Sequence, residues 1–426
     1  MLLAGVLAAC SQTSGSRGAA ETRSDASSDA PDAAPHDADG SAPDARPASG
    51  DGGINAGGDA GQCSNAGYTT PLDAGSSACA HSPGATGPAE QATHLQIAPD
   101  AGFTVFRNWT YDVRGGRTLQ GDLYVPDGPH SKPGGLILGI HGGGWEDCER
   151  RRDSAQGLSL LRRLSLATGA AFFAIDYRLS QEGGQYPENL KDVRCALQYV
   201  TSRIVATQAL GVDASRVVVL GESAGAHLAL MLGLSQDRAD LDPGCRFAGA
   251  AAAPVNVLGV YAFSPPTDLP LLASGDGLAG PAAQHYTNGA CSASAPVDPG
   301  SCGCVSDNRC VDASPVHHAC RARASTDLVV VHAPRTPDGE YDLFIPFAQA
   351  ERLRDAFLGS PRFQLWVPDA QALLTRGCFG SDYIVAHGVV LPDGSLIPFA
   401  HGFMECLTDS VFPLLELAVA SKVGGR

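Results

Sequence analysis

From Phe103 onward, short apolar runs alternate with stretches in which apolar residues recur every three or four positions, the pattern of strands and helices interleaved along one chain. Phe103–Val113 and Arg117–Val125 have strand character and flank Arg114-Gly115-Gly116, which predicts a β-hairpin. Gly135–Ile140, Ala171–Ile175 and Val217–Leu220 are almost unbroken apolar runs, as expected of parallel strands covered on both faces. Asn256–Phe263, Leu328–Val331 and Phe363–Val367 extend the series. Leu190, Val193, Leu197 and Val200 recur at helical spacing and predict a helix over Pro187–Gln208. Further helices are expected over Ala226–Leu232 and, amphipathic, after His401. Such alternation implies an α/β fold around a mixed, mostly parallel sheet.

Several segments break the pattern. Residues from about Leu269 to Arg323 lack clear periodicity and read as a cap inserted over the sheet, and a second irregular insertion spans about 371–399. Residues 11–62 are almost entirely Ala, Ser, Asp, Gly and Pro, with Ile54 the only large aliphatic residue. Such a stretch buries too little apolar surface to offset its chain entropy and is expected to be a disordered tether. Residues 63–102 form a transition to the α/β domain expected over 103–426. Residues 1–10 are a short apolar run ending in Leu7-Ala8-Ala9-Cys10, too short to span a bilayer as a helix. That ending resembles the lipobox of bacterial lipoproteins and implies acylation at Cys10, export, and contact with a membrane only through an N-terminal lipid anchor.

The net charge of −16, from 45 acidic against 29 basic side chains, argues against a nucleic-acid partner or an anionic membrane surface. Nine of the acidic residues lie in 11–62 against three arginines, so the rest of the chain is only moderately acidic. Setting Cys10 apart leaves twelve of the 13 cysteines, an even number suited to pairing in an oxidising compartment. Five of them, Cys291, Cys302, Cys304, Cys310 and Cys320, crowd the cap segment. Cys302, Cys304 and Cys310 lack the paired spacing of a zinc ribbon, although His317 and His318 offer a rival metal-site reading. Neither metal nor cofactor is expected.

The chemistry is concentrated in two short motifs. Gly221-Glu222-Ser223-Ala224-Gly225 fits G-x-S-x-G directly after a strand and before a helix, the context of a nucleophile elbow with Ser223 as nucleophile. His141-Gly142-Gly143-Gly144-Trp145 follows the third strand, where glycines let backbone N–H groups meet an oxyanion; the expected donors are two of Gly142, Gly143 and Gly144, joined by Ala224.

On these motifs the chain resembles the α/β-hydrolase serine esterases of the carboxylesterase and hormone-sensitive-lipase type, including bacterial feruloyl and acetyl esterases, over roughly Phe103 to Lys422. Asp176-Tyr177-Arg178-Leu179, Tyr186-Pro187 with Asp192, and Ser314-Pro315 also fit and read as structural. The resemblance implies the chain order Ser, Asp or Glu, His. It points to Asp342, in Asp342-Leu-Phe-Ile-Pro346, as the acid, with Asp338, Glu340 and Asp369 as alternatives. It points to His401 as the base, with His387 as competitor; His227 and His141 are expected to support the site. The implied activity is hydrolysis of small-molecule or polymer-linked carboxylic esters through an acyl-enzyme. A peptidase or amidase with the same triad, or a cell-surface binding protein on a hydrolase scaffold, are the other readings.

Overall fold

The computed structural model describes residues 92–98, 101–128, 133–146, 155–207, 210–247, 250–251, 255–293, 296–298, 306, 308–336, 339–340, 342–370, 373, 401 and 405–425. The segment 1–62, with Cys10, lies outside them, as do Asp338, His387 and most of the second insertion.

Among the described residues nine strands form the main sheet: β1 (Ala92–Ala98), β2 (Ala101–Arg114), β3 (Arg117–Pro126), β4 (Gly134–Ile140), β5 (Ala171–Ile175), β6 (Val212–Glu222), β7 (Val257–Phe263), β8 (Asp327–Val331) and β9 (Phe363–Trp366), in the order β1-β2-β3-β5-β4-β6-β7-β8-β9. The first four neighbours in that order are antiparallel, and from β5 to β9 every pair is parallel. The expected hairpin is β2–β3, turning at Gly115 and Gly116, both with positive φ. Every residue of β4 and β5 is buried, which is why their sequence shows no polar alternation. The sheet begins earlier than the expected boundary at residue 103, because β1 pairs with β2 as an added edge strand.

Two helical layers cover the sheet. α1 (Ala155–Thr168) and α5 (Glu405–Val423) pack against Ile137, Phe172, Val218 and Val331 on one face. α2 (Glu188–Thr207), α3 (Ser223–Leu234) and α4 (Phe347–Ala356) pack against Leu136, Leu138, Val217 and Val330 on the other. Alternate residues of one strand thus serve opposite cores. Ala224–Leu234 of α3 are all buried, and a helix covered on every side is apolar all round.

The insertion between β7 and β8 contains the short helices Leu269–Leu271, Gly280–Tyr286 and Arg309–Asp312 and a 3₁₀ segment Pro315–Arg321. Tertiary ties hold these pieces. Cys291 and Cys310 are disulfide-bonded, and Ser314 Oγ donates to Cys310 O (2.8 Å) while accepting from Leu269 N (3.0 Å). A second disulfide, Cys195–Cys245, joins α2 to the segment after α3, and Cys320 is also disulfide-bonded. Bonded to Cys291, Cys310 is no thiolate ligand, which corrects the rival zinc reading at that position. His318 instead places Nε2 2.7 Å from Asp312 O.

Candidate active site

Strands β4, β6 and β8 run parallel, so the loops that follow them emerge at one edge of the sheet, where open α/β sheets place their sites. Ile140 at the end of β4 pairs with Gly221 at the end of β6, which sets the glycine loop beside the elbow.

At that elbow β6 passes into α3 without a linking loop, and Ser223 takes a left-handed backbone with φ 49°. A non-glycine residue there is held by its surroundings, and the glycines on either side show how. A Cβ at Gly221 would lie 2.4 Å from Gly225 O, and one at Gly225 would lie 2.3 Å from both Ile140 O and His141 O. Only glycine permits that approach. Ser223 remains half-buried, while Ala224 behind it is fully buried with its N–H in the first turn of α3, where backbone donors have no partner within the helix.

The loop after β4 lies against this turn: a Cβ at Gly142 would come within 3.2 Å of the Ser223 Cβ. Gly143, Gly144 and Trp145 all have positive φ (97°, 60° and 61°). Below the loop, the Tyr177 hydroxyl is within hydrogen-bonding reach of both His141 O (3.0 Å) and Gly142 O (3.2 Å), and its ring stacks on His141 at 4.3 Å. Arg178 beside it is locked by Asp192, whose carboxylate accepts from Arg178 N (3.1 Å), Nε (2.8 Å) and Nη2 (2.8 Å), a structural role for both residues.

In the loop after β8, Asp342 is fully buried. Its Oδ1 accepts from Phe344 N (3.1 Å) and Ile345 N (2.9 Å), and its Oδ2 lies 2.8 Å from His401 Nδ1. Burial by itself raises this carboxyl, but His401, His332 and the Ile345 N–H outweigh it and hold the group below the usual carboxylate range. An ionised Asp342 accepts the Nδ1 proton, which leaves the other ring nitrogen of His401 as the basic one.

The remaining sequence candidates lie elsewhere. Asp369 is exposed beyond β9. Glu340 falls in a two-stranded ribbon, Arg335–Thr336 with Gly339–Glu340, and its side chain is outside the described residues, as are Asp338 and His387. His227 is buried in α3 with Nε2 2.7 Å from Ala313 O, and burial pushes it down to about 4, so it is neutral at ordinary pH. Among the described residues the one cluster of metal-ligand type is Asp112 with Cys195 and Cys245, whose sulfurs are already joined to each other.

Tyr286 carries no signal in the sequence. This insertion residue stacks on Trp145 at 4.5 Å and 5°, a contact between two distant loops that no local motif announces.

Comparison with known proteins bears on the same residues. The family model BD-FAE matches residues 121–356, more than half of the chain. The chain belongs to the BD-FAE family. BD-FAE is an α/β-hydrolase esterase family, and the matched span carries the glycine loop, the elbow and Asp342, ending before His401. Among curated relatives of this BD-FAE chain, a non-reducing polyketide synthase of Preussia isomera is 34% identical over 131 residues, 30% of this chain and 6% of that one. Ethyl acetate hydrolase of Pseudomonas putida is 33% identical over 123 residues, 28% of this chain and 36% of that one. The chain thus spans well under two thirds of the length of these relatives. Esterase B of Lactobacillus rhamnosis superposes with a TM-score of 0.50 at 18% identity, covering 77% of this chain and 88% of that one, which shows the shared fold.

Proposed function

We propose that the protein hydrolyses carboxylic esters through an acyl-enzyme, with Ser223 as nucleophile, His401 as general base and Asp342 as the acid that orients it. The observation that carries this reading is the 2.8 Å contact of His401 Nδ1 with a buried carboxylate held below its usual range, at the edge of the sheet where Ser223 sits on a strained turn. A serine hydroxyl is a weak nucleophile at neutral pH, so His401 takes its proton as Oγ attacks the ester carbonyl. The oxyanion receives the Ala224 N–H and backbone N–H groups of Gly142–Gly144. Collapse of the intermediate releases the alcohol, protonated by His401, and water activated by the same ring hydrolyses the acyl-serine. Small-molecule or polymer-linked esters fit this chemistry, and the likeness to ethyl acetate hydrolase supports a small ester as first probe. With a short chromogenic ester, Ser223→Ala is expected to lose about four to six orders of magnitude in kcat while remaining folded. Turnover near that of the wild type by the variant would defeat the assignment.

The location proposed is the bacterial cell envelope or beyond, by export with acylation at Cys10. The disulfides Cys195–Cys245 and Cys291–Cys310 support an oxidising compartment. Among the described residues no helix is long and apolar enough to cross a membrane. Detergent-phase partitioning of the full chain expressed in bacteria tests the anchor: wild type is expected in the detergent phase and Cys10→Ser in the aqueous phase. Identical aqueous partitioning of both would remove the anchor.

A further inference from the structure

Trp145 closes the glycine loop in a left-handed conformation, φ 61°, which is costly for a bulky side chain and persists only where the surroundings impose it. Ser180 N donates to the Trp145 carbonyl (2.7 Å), and the surroundings of the ring come largely from the insertion. The Trp145 ring is fully buried and stacks on Tyr286, and the His227 ring meets both edge-on at 5.2 and 5.4 Å. Among the described residues the Trp145 Nε1 makes no hydrogen bond, so the ring faces and not the indole N–H hold it. Tyr286 is itself fixed: its hydroxyl donates to Asn189 Oδ1 (3.1 Å), and its carbonyl accepts from Tyr186 N (3.0 Å). One position on, the Glu146 carboxylate meets the His285 ring, and one position back a Cβ at Gly144 would touch Ala282 at 3.5 Å. Three successive loop residues therefore bear on one short helix, Gly280–Tyr286.

We infer that Tyr286 and Trp145 are positioning residues for the oxyanion loop, and that the insertion helix Gly280–Tyr286 sets how well that loop stabilises a tetrahedral intermediate. The inference rests on the serine-esterase reading above. Glycines supply donors but little conformational restraint, so a run of three left-handed residues needs an external frame. Donors act through preorganisation, and displacement of about 1 Å costs on the order of 100-fold. The Trp145–Tyr286 stack supplies that frame from the insertion.

The test compares Tyr286→Leu, Tyr286→Phe and His285→Ala with wild type, using a short chromogenic ester, the inactivation rate by a serine-directed phosphonate, and thermal unfolding. Tyr286→Leu is expected to lower kcat about 10- to 100-fold with KM within about twofold, and to slow phosphonylation in proportion, since both reactions pass through a tetrahedral centre. Tyr286→Phe keeps the ring and is expected to stay within about threefold of wild type. His285 is half-exposed, so His285→Ala is expected to fold and to lose about two- to fivefold in kcat. Wild-type kcat in Tyr286→Leu, or a change confined to KM, overturns the inference when Ser223→Ala is inactive in the same assay. An equal loss in Tyr286→Phe overturns it too, because the ring is then not the operative feature. Should Tyr286→Leu fail to fold, His285→Ala decides, and an unchanged kcat rejects the frame. A wild type inactive toward every ester refutes the underlying esterase reading instead.

Discussion

A carboxylate shut away from water has to be compensated where it stands, and Asp342 is compensated by two backbone N–H groups on one oxygen and by His401 on the other. The ion is thereby more stable than in an unfolded chain. Its folded pKa is depressed, so its contribution to stability is complete above the ordinary carboxylate value of about 4 and is lost as pH falls through the lower folded value. At neutral pH its role is therefore fixed as an acceptor. Asp342→Asn keeps the shape but can present an N–H to the ring, favouring the wrong tautomer. The expected loss in kcat is about 10³- to 10⁴-fold, against little change in Asp369→Asn at the exposed alternative position. Steady-state kinetics of the two variants on one ester decides between them, and equal losses would remove Asp342 from its assigned role.

At the level of elements, the junction of β6 and α3 converts a strand into a helix within one residue, and that junction rests on the end of β4. Gly225 is the contact point, because its missing Cβ lets α3 sit against the carbonyls of Ile140 and His141. Gly225→Ala forces the two apart, and a destabilisation of about 3 kcal/mol is expected, with loss of activity because the elbow and the glycine loop move together. Chemical unfolding of the variant checks this, and an unchanged midpoint would mean that the helix shifts freely. These junction glycines are legible in sequence because five consecutive residues carry the pattern between a strand and a helix, although the contact that requires Gly225 lies on β4. The interior strands β4 to β8 are legible for a related reason, since burial on both faces leaves an apolar run with no alternation to interpret. Among the described residues β1 pairs with β2 alone, and its residues Ala-Thr-His-Leu-Gln-Ile-Ala carry a weak pattern, so it falls within the expected transition segment. The insertion helices have three to seven residues, too few to show a helical period, and their stability comes from the Cys291–Cys310 bridge and from buried groups such as Asp268, which accepts from Leu271 N and Val297 N and pairs with Arg352. Tyr286 is invisible for the same reason: its meaning depends on what it packs against.

At the largest scale, among the described residues, a three-layer sandwich holds the loops after β4, β6 and β8 at one rim, and the insertion between β7 and β8 binds that rim through Tyr286, His285 and Ala313. In the proposed mechanism the sheet fixes where the reacting groups stand, while the insertion, whose sequence carries no period, would brace the loop that receives the developing charge. That division explains why reaction class follows from the motifs whereas acyl and alcohol preference does not. Activation of Ser223 by the His401–Asp342 pair is probed by treating the intact protein with a serine-directed phosphonate and locating the adduct by peptide mass spectrometry. One equivalent is expected at Ser223, with inactivation in step with labelling and labelling greatly slowed in His401→Ala; an adduct on another serine, or full inactivation with Ser223 unmodified, would rule out Ser223 as the activated nucleophile.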